Sequence, residues 1–578
     1  MTAAEQAHGG TLVAADLARR GVRTIFALTG GHIYPILSEL AENDIRLIDM
    51  RHEAALVHAA DAYARVTGKV GVAAVTAGPG VANALAGLAT AYHSCSPVLL
   101  LAGSSPLADL DRGAVQEADQ LAMVSGVTKW ARRVHDPSRL PDYIDMAFRE
   151  ATRGRPGPVC LDVPDDMLRT PVPSTDLGRK PSNCDPPSPP AASIQAAYQL
   201  LSEAARPLII TGGGARWSEG SAPALQRLAR LSGIPVLGKA LGRGLVPEDM
   251  ESGFPYDYAR IAVPEADVVL ILGARLNWML CCGGLPRFDP ATKVIQVDIH
   301  TEELGLNRDL DLAVAGDAAA AAIALGDLFE ASSEQPKDRK WLIDILAQRE
   351  SSLDAVGRAE SGSVHPLRIA REFAEYMPND VIVVGDGANI LNYGKACLRV
   401  HHPGSWLDHS PLGAMGIGVP FAIGARAAAE DMARATGSQP RPVWVLSGDG
   451  SLGFFIMELH TAARHNLPFI LVVANDGGWG ADRNSQRVQF GHNFGADFGH
   501  ASYDGVARAL DCWGTLVSSP DELAGAFAAA INQPRPAVIN VITDQAGGTE
   551  RRGNPLLEFQ LERSLERFQP FQATRDGG

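Results

Sequence analysis

Gly448-Asp449-Gly450-Ser451 directly follows an apolar run, residues 443–447, and a stretch of helical character comes soon after, at 455–463. A glycine turn between a strand and a helix presents backbone N–H groups and the positive end of the helix, which suits phosphate. Gly448, Gly450 and Ser451 would form that cradle, and Asp449 adds a hard carboxylate oxygen suited to Mg²⁺. A second apolar run, 469–474, ends in Asn475-Asp476-Gly477-Gly478. If the two runs are neighbouring strands of a parallel sheet, Asp449 and Asn475 meet at the carboxyl ends, where such sheets bind ligands. Mg²⁺ keeps few protein ligands and takes the rest from phosphate and water, so Asp449, Asn475 and the Gly477 carbonyl suffice. Glycine serving turn geometry alone is the plain alternative. The pairing of Asp449 with an asparagine 26 positions later, at a second strand end, singles out the metal reading.

A second chemical group lies early in the chain. Met50-Arg51-His52-Glu53-Ala54-Ala55 leads into a helical run that reaches Arg65. Glu53 stands where a strand gives way to a helix. A glutamate there is favoured by the helix dipole. Desolvated, it would also hold a proton near neutral pH and could pass it on.

Groups like these need rigid elements behind them. Apolar runs at 24–28, 70–76, 98–102 and 159–163 alternate with helical stretches, which predicts a parallel sheet covered by helices. The pattern recurs at 207–211, 234–237, 268–272 and 293–297, and again at 381–384, 443–447, 469–474 and 537–542. The fold class expected is therefore α/β, with three consecutive doubly wound parallel-sheet domains. Their spans are 1–170, 194–345 and 365–545. A linker at 171–193, with prolines at 171, 173, 181, 186, 187, 189 and 190, cannot pack a core and favours extended backbone. A polar tail, 546–578, is either solvated or a lid.

Composition narrows the partners. The net charge of −15 repels phosphate backbones and argues against nucleic acid. No apolar stretch is long enough to span a membrane. The start of the chain lacks a basic region followed by an apolar core, so no signal peptide is expected, and the last residues are not a peroxisomal address. Seven cysteines, none in a C-x-x-C pair, fit a reducing cytoplasm.

The pairing of Gly448-Asp449-Gly450 with Asn475 resembles the shared motif of thiamine-diphosphate enzymes, G-D-G with a later N. The resemblance implies thiamine diphosphate held through Mg²⁺, with Asp449, Asn475 and Gly477 on the metal. The run from Arg51 to Arg65, with Gly78-Pro79-Gly80 beyond it, looks like the pyrimidine-binding domain of that superfamily. Glu53 would then exchange a proton with the cofactor's aminopyrimidine. The segment 412–418 resembles the one that props the cofactor into its bent shape, with Met415 as the wedge and the Gly413 carbonyl accepting from the exocyclic amine. Gln116 matches a glutamine that faces the reaction centre, and Gly31 and Asn389 fall at family positions near substrate or cofactor. Gly385-Asp386-Gly387 looks like another metal turn, but no asparagine follows at matching spacing. In these enzymes the cofactor lies between two chains, which implies at least a homodimer, and homotetramers are common.

Within the superfamily, Gly273-Ala274-Arg275-Leu276-Asn277-Trp278, residues 294–299 and Glu302-Glu303-Leu304-Gly305 closely resemble 2-hydroxyacyl-CoA lyases, with oxalyl-CoA decarboxylases as near relatives. Acetolactate synthases share the architecture and match this run less well. The resemblance spans residues 10–545. It implies cleavage of an acyl-CoA substrate, a 2-hydroxyacyl-CoA, into formyl-CoA and an aldehyde or ketone, and the reverse condensation. By position, Arg275 would meet a phosphate and Asp298 the ribose hydroxyls of ADP. A structural ion pair for Arg275 is the alternative. Residues 211–216 give a glycine turn that does not satisfy G-x-G-x-x-G. The base for the 2-hydroxyl proton is either the cofactor or a residue of the loop 479–500, where His492, Asn493 and His500 are candidates. Arg551 and Arg552 would meet CoA charge if the tail closes. Rival functions are oxalyl-CoA decarboxylase, a CoA-independent carboligase such as acetolactate synthase, and a non-catalytic nucleotide-binding regulator.

Overall fold

Three six-stranded sheets, every strand pairing parallel, carry the chain. The computed structural model describes residues 7–172, 184–332, 336–347 and 363–545. The first sheet contains β1 (Thr24–Ala27), β2 (Arg46–Asp49), β3 (Gly71–Val75), β4 (Val98–Ser104), β5 (Trp130–Arg133) and β6 (Val159–Pro164), in the order β2-β1-β3-β4-β6-β5. The second contains β7 (Pro207–Thr211), β8 (Val236–Gly238), β9 (Gly253–Pro255), β10 (Val268–Leu272), β11 (Lys293–Asp298) and β12 (Leu312–Ala315), ordered β12-β11-β10-β7-β8-β9. The third contains β13 (Ile382–Gly385), β14 (Trp406–Asp408), β15 (Val443–Gly448), β16 (Ile470–Asn475), β17 (Trp513–Val517) and β18 (Ala537–Ile542), ordered β14-β13-β15-β16-β18-β17. The α/β class with three parallel-sheet units is as the alternation predicts.

Inner strands such as β16 are buried along their whole length. Helices cover both faces of a parallel sheet, so such strands read as unbroken apolar runs. The first and third units share one hydrophobic core, while the middle unit keeps its own. The shared core forms where the helix Glu53–Thr67 lies against the helix Gly418–Thr436. The helices approach so closely that a Cβ at Gly424 would lie 2.0 Å from the Ala59 carbonyl oxygen. Only glycine fits there, and this crossing sets the carboxyl ends of the two sheets relative to each other.

Two local expectations change. The helix expected at 455–463 is Glu458–Arg464, preceded by a separate turn of helix, Asp449–Leu452. Between them the chain turns, which places the Phe455 ring against His52 and His58 at 5.3 and 6.1 Å. The helix Ala191–Glu203 begins inside the stretch read as linker, because Pro190 ends the extended run and caps it. The tail, with Arg551 and Arg552, lies outside the described residues. No helix among the described residues is long and apolar enough to cross a membrane.

Candidate functional site

The carboxyl end of the third sheet opens into a cavity of about 50 Å³, lined by Gly448, Asp449, Gly450, Ser451, Asp476 and Gly478, with Asn389, Met415 and Asp482 at its edge. β15 and β16 are neighbours, Gly448 opposite Ala474, so the residues just past each strand meet there. Asp449 is 2% exposed, and its carboxylate accepts the Gly478 N–H at 3.1 Å. Burial, together with the nearby Asp476 carboxylate, pushes Asp449 up to about 7. Burial also raises Asp476, against the pull of the Arg483 guanidinium. Burial disfavours the charged form of both carboxyls, and a divalent cation beside them would favour it. Two atoms here are buried without a partner, Asp476 Oδ1 and Ser451 Oγ. A Cβ at Gly450 would meet the Trp479 ring at 2.5 Å, so the turn is closed to larger residues. Carboxylate oxygens that would hold a divalent cation, beside backbone N–H groups and a hydroxyl that would meet phosphate oxygens, make up this donor set. Among the described residues, no cluster of three or more His, Cys, Asp or Glu side chains forms a metal cage. The remaining coordination would come from backbone, phosphate and water.

Two of the three ligands expected from the sequence are otherwise engaged. Asn475 is fully buried inside β16, and its amide nitrogen donates to the Ala501 carbonyl and to Asn540 Oδ1, each at 3.0 Å. Its oxygen pairs with His500 Nδ1 at 3.1 Å. The Gly477 carbonyl accepts the Phe498 and Gly499 N–H groups at 2.9 and 3.0 Å. Neither residue lines the cavity, whereas the next residue in each case, Asp476 and Gly478, does. The carboxylate past the end of β16, and not the amide within it, faces Asp449. Strand order explains the slip: β18 lies against β16 and puts Asn540 within reach of Asn475, a pairing no local pattern announces. Arg483, fully buried, holds Asp476 Oδ2 at 3.4 Å and is clamped by Asp497 at 2.6 Å.

Around this centre, Gly413 has φ +85° and sits exposed on the loop before Met415. The buried Asp386 carboxylate accepts the N–H groups of Gly387, Gly416 and Gly418 at 2.7, 3.2 and 2.8 Å. It therefore ties the turn after β13 to the loop that carries Met415, and its role is structural rather than that of a second metal site.

The first sheet gathers another group at its carboxyl end. Glu53 is 7% exposed and begins its helix, where Oε2 accepts from Asn83 Nδ2 at 3.0 Å. Gln116, at φ +59°, accepts the Thr76 hydroxyl at 3.1 Å, and Thr76 Oγ1 also meets His32 Nδ1 at 3.1 Å. Gly31 is exposed beside them, its carbonyl accepting from Arg169 at 3.2 Å. Thus Gly31, Glu53 and Gln116 occupy one sheet end, with Asn83 and Thr76 as partners that sequence reasoning did not single out. None of them lines the cavity around Asp449 within the same chain.

Arg275 and Asp298 line a cavity of about 670 Å³ between the middle and first units, floored by Gly212, Gly213 and Gly214. Arg275 donates to the His93 carbonyl. Burial raises Asp298, which accepts the His300 N–H at 2.9 Å. Lys239, 5% exposed, donates to the Arg275 carbonyl at 3.1 Å and to Asn277 Oδ1 at 3.0 Å, and burial with two nearby guanidinium groups lowers it to about 7. His492 stands apart from all three groups. It is exposed beyond the helix Gly480–Phe490, bonded to the Phe490 carbonyl at 3.1 Å, and lines neither cavity.

Family models described as the thiamine pyrophosphate enzyme N-terminal binding, central and C-terminal binding domains match residues 7–123, 194–325 and 378–541. Among similar curated proteins, "Probable acetolactate synthase" of Mycobacterium bovis is 34% identical, covering 95% of this chain and 98% of its own length. "2-hydroxyacyl-CoA lyase" of Arabidopsis thaliana is 32% identical, over 94% and 96%. "2-hydroxyacyl-CoA lyase 2" of Homo sapiens is 30% identical, over 93% and 90%.

Proposed function

The chain belongs to the thiamine pyrophosphate enzyme family, and we propose that it cleaves a 2-hydroxyacyl-CoA into formyl-CoA and an aldehyde or ketone, and catalyses the reverse condensation. The observation that supports this choice of substrate is the similarity, over 94% of the chain, to the 2-hydroxyacyl-CoA lyase of Arabidopsis thaliana, together with the run Gly273–Trp278, whose Arg275 lines the large cavity between the middle and first units. The second reading, an acetolactate synthase, is favoured by the similarity to the M. bovis protein.

The roles of the residues are part of this proposal. Asp449, Asp476 and the Gly478 carbonyl hold Mg²⁺, and Gly448, Gly450 and Ser451 receive the diphosphate. Thiamine diphosphate, when bound, supplies a nucleophilic carbon and an electron sink for the breaking carbon–carbon bond. Glu53 would pass a proton between its carboxyl and the pyrimidine ring when the cofactor is bound, with Asn83 Nδ2 donating to its Oε2. Met415 and the Gly413 carbonyl shape the space between these ends, and Gln116 and Asn389 orient the reacting group. Glu53 does not line the Asp449 cavity of its own chain, so the two halves come together across two copies, in a homodimer or a tetramer of such pairs. The 670 Å³ cavity, with Arg275, Asp298 and a glycine turn, suits a nucleoside diphosphate such as ADP. Seven free cysteines agree with the reducing cytoplasm as compartment.

The test compares a 2-hydroxyacyl-CoA, oxalyl-CoA and pyruvate as substrates, with Mg²⁺ and thiamine diphosphate supplied and products read by mass spectrometry. Formyl-CoA with an equimolar carbonyl product is expected. Acetolactate from pyruvate, or CO₂ from oxalyl-CoA, with no carbon–carbon cleavage of the 2-hydroxyacyl-CoA would overturn the reading.

A further inference from the structure

The metal turn Asp449–Leu452 leads within a few residues into the helix Glu458–Arg464. That helix lies along β2 and the turn before Glu53. Arg464 and His465 hold Asp49 at 2.9 and 2.8 Å, Arg51 meets His460 at 2.5 Å, and Arg46 donates to the His465 carbonyl at 3.0 Å. Most of these side chains are partly exposed, and such pairs are worth little individually. Glu458 differs. It is 1% exposed, its Oε1 accepts the backbone N–H of Arg51 at 3.0 Å, and its Oε2 accepts the Thr461 hydroxyl at 2.7 Å.

The Arg51-His52 turn is exposed, and it sits just ahead of a helix whose first N–H groups have no partner within the helix. A buried side-chain oxygen that accepts the Arg51 N–H holds this backbone in place, and removing it leaves that donor without its partner. We infer that Glu458 is a positioning residue for Glu53, fixing the Arg51-His52 turn so that the Glu53 carboxyl is presented in one orientation. The inference rests on the proposed proton-handling role of Glu53. It also gives the helix beyond the metal turn a second task, since it braces the catalytic carboxylate of the first unit. Burial raises the Glu458 carboxyl, and the hydrogen bonds from Thr461 and from the Arg51 and His52 backbone oppose that rise. The hydrogen-bond geometry needs an acceptor oxygen at this position, which an amide also supplies.

The test uses full-length Glu458→Ala and Glu458→Gln proteins, with Thr461→Val as a milder variant should the alanine protein fail to fold. Amide hydrogen exchange is followed by mass spectrometry in peptides covering 46–56 and 443–452, before any cofactor is added. Turnover and thiamine diphosphate affinity, the latter from tryptophan quenching, are measured in parallel. Glu458→Ala should speed exchange in 46–56 and not in 443–452. It should lower kcat about 10- to 100-fold with KM and cofactor affinity little changed, as expected for a carboxyl displaced by about 1 Å. Thr461→Val should show the same signature more weakly, and Glu458→Gln should restore both exchange and kcat. Uniform loss of protection with no rescue by glutamine would reduce Glu458 to a strut of the fold and overturn the inference, as would wild-type exchange in 46–56. The exchange readout needs no turnover, so it stands even if Glu53→Gln shows the proton role to be misassigned.

Discussion

Replacing Asp476 by asparagine keeps an oxygen beside Asp449 and removes one charge. Two unit charges about 4 Å apart interact by about 4 kcal/mol at an effective dielectric of about 20. Much of that is offset here, because burial already raises both carboxyls and the Asp476 charge adds to the rise of Asp449. A net loss of about 1.5–3 kcal/mol, or about 10- to 100-fold in Mg²⁺ affinity, is expected. Asn475→Ala should behave oppositely. It strips partners from Asn540 and His500, at about 1–3 kcal/mol for buried groups left unpaired. The melting temperature should fall by a few degrees while Mg²⁺ affinity stays within about threefold. The assay is a Mg²⁺ titration of thiamine diphosphate binding, read by tryptophan fluorescence, with Trp479 against the Gly450 turn as reporter. If Asn475→Ala loses the metal and Asp476→Asn does not, the assignment of Asp476 over Asn475 is wrong.

Glu53→Gln should lower kcat by about 10²- to 10⁴-fold while leaving the melting temperature near wild type, since the amide oxygen can still accept from Asn83; unchanged turnover would remove Glu53 from the mechanism. His492→Ala should change turnover by less than about twofold, because its side chain is exposed and bonded to the Phe490 carbonyl of its own loop; a hundredfold loss would return this loop to the chemistry. Lys239 is lowered from 10.5 to about 7, so between those values the folded chain sheds a proton that the unfolded chain keeps. The resulting stability cost is therefore complete below pH 7 and fades as pH rises towards 10.5. Lys239→Met should raise the free energy of unfolding most at pH 6, by up to several kcal/mol less two lost hydrogen bonds, and least near pH 10; the same change at both pH values would refute this.

Twelve strands were legible as apolar runs, four in each sheet. The six that were not, β2, β5, β9, β12, β14 and β17, are the edge strands of the three sheets. Inner strands are covered on both faces and along both sides, so their sequences are uniformly apolar. Edge strands are freer to carry charge, as Trp130-Ala131-Arg132-Arg133 and Arg46-Leu47-Ile48-Asp49 do. At the site, Asp449 was legible because a glycine turn and a carboxylate at one strand end suffice to mark it. Asp476 was not, because choosing between it and Asn475 requires knowing that β18 brings Asn540 against β16. Asn83 escaped for a similar reason: it lies on a different helix from Glu53, and only packing joins them. His492 drew attention through its residue type alone, in a loop whose backbone turns it outward.

The division of the site between two chains can be measured directly by mixing Glu53→Gln and Asp449→Ala proteins, each inactive alone, under conditions that exchange subunits. Mixed dimers would hold one intact site and one doubly damaged site. Random pairing would therefore restore formyl-CoA release from a 2-hydroxyacyl-CoA to about one quarter of wild type. Mixed dimers that form and yet regain no activity would contradict a cofactor site built from Glu53 of one copy and Asp449 of the other.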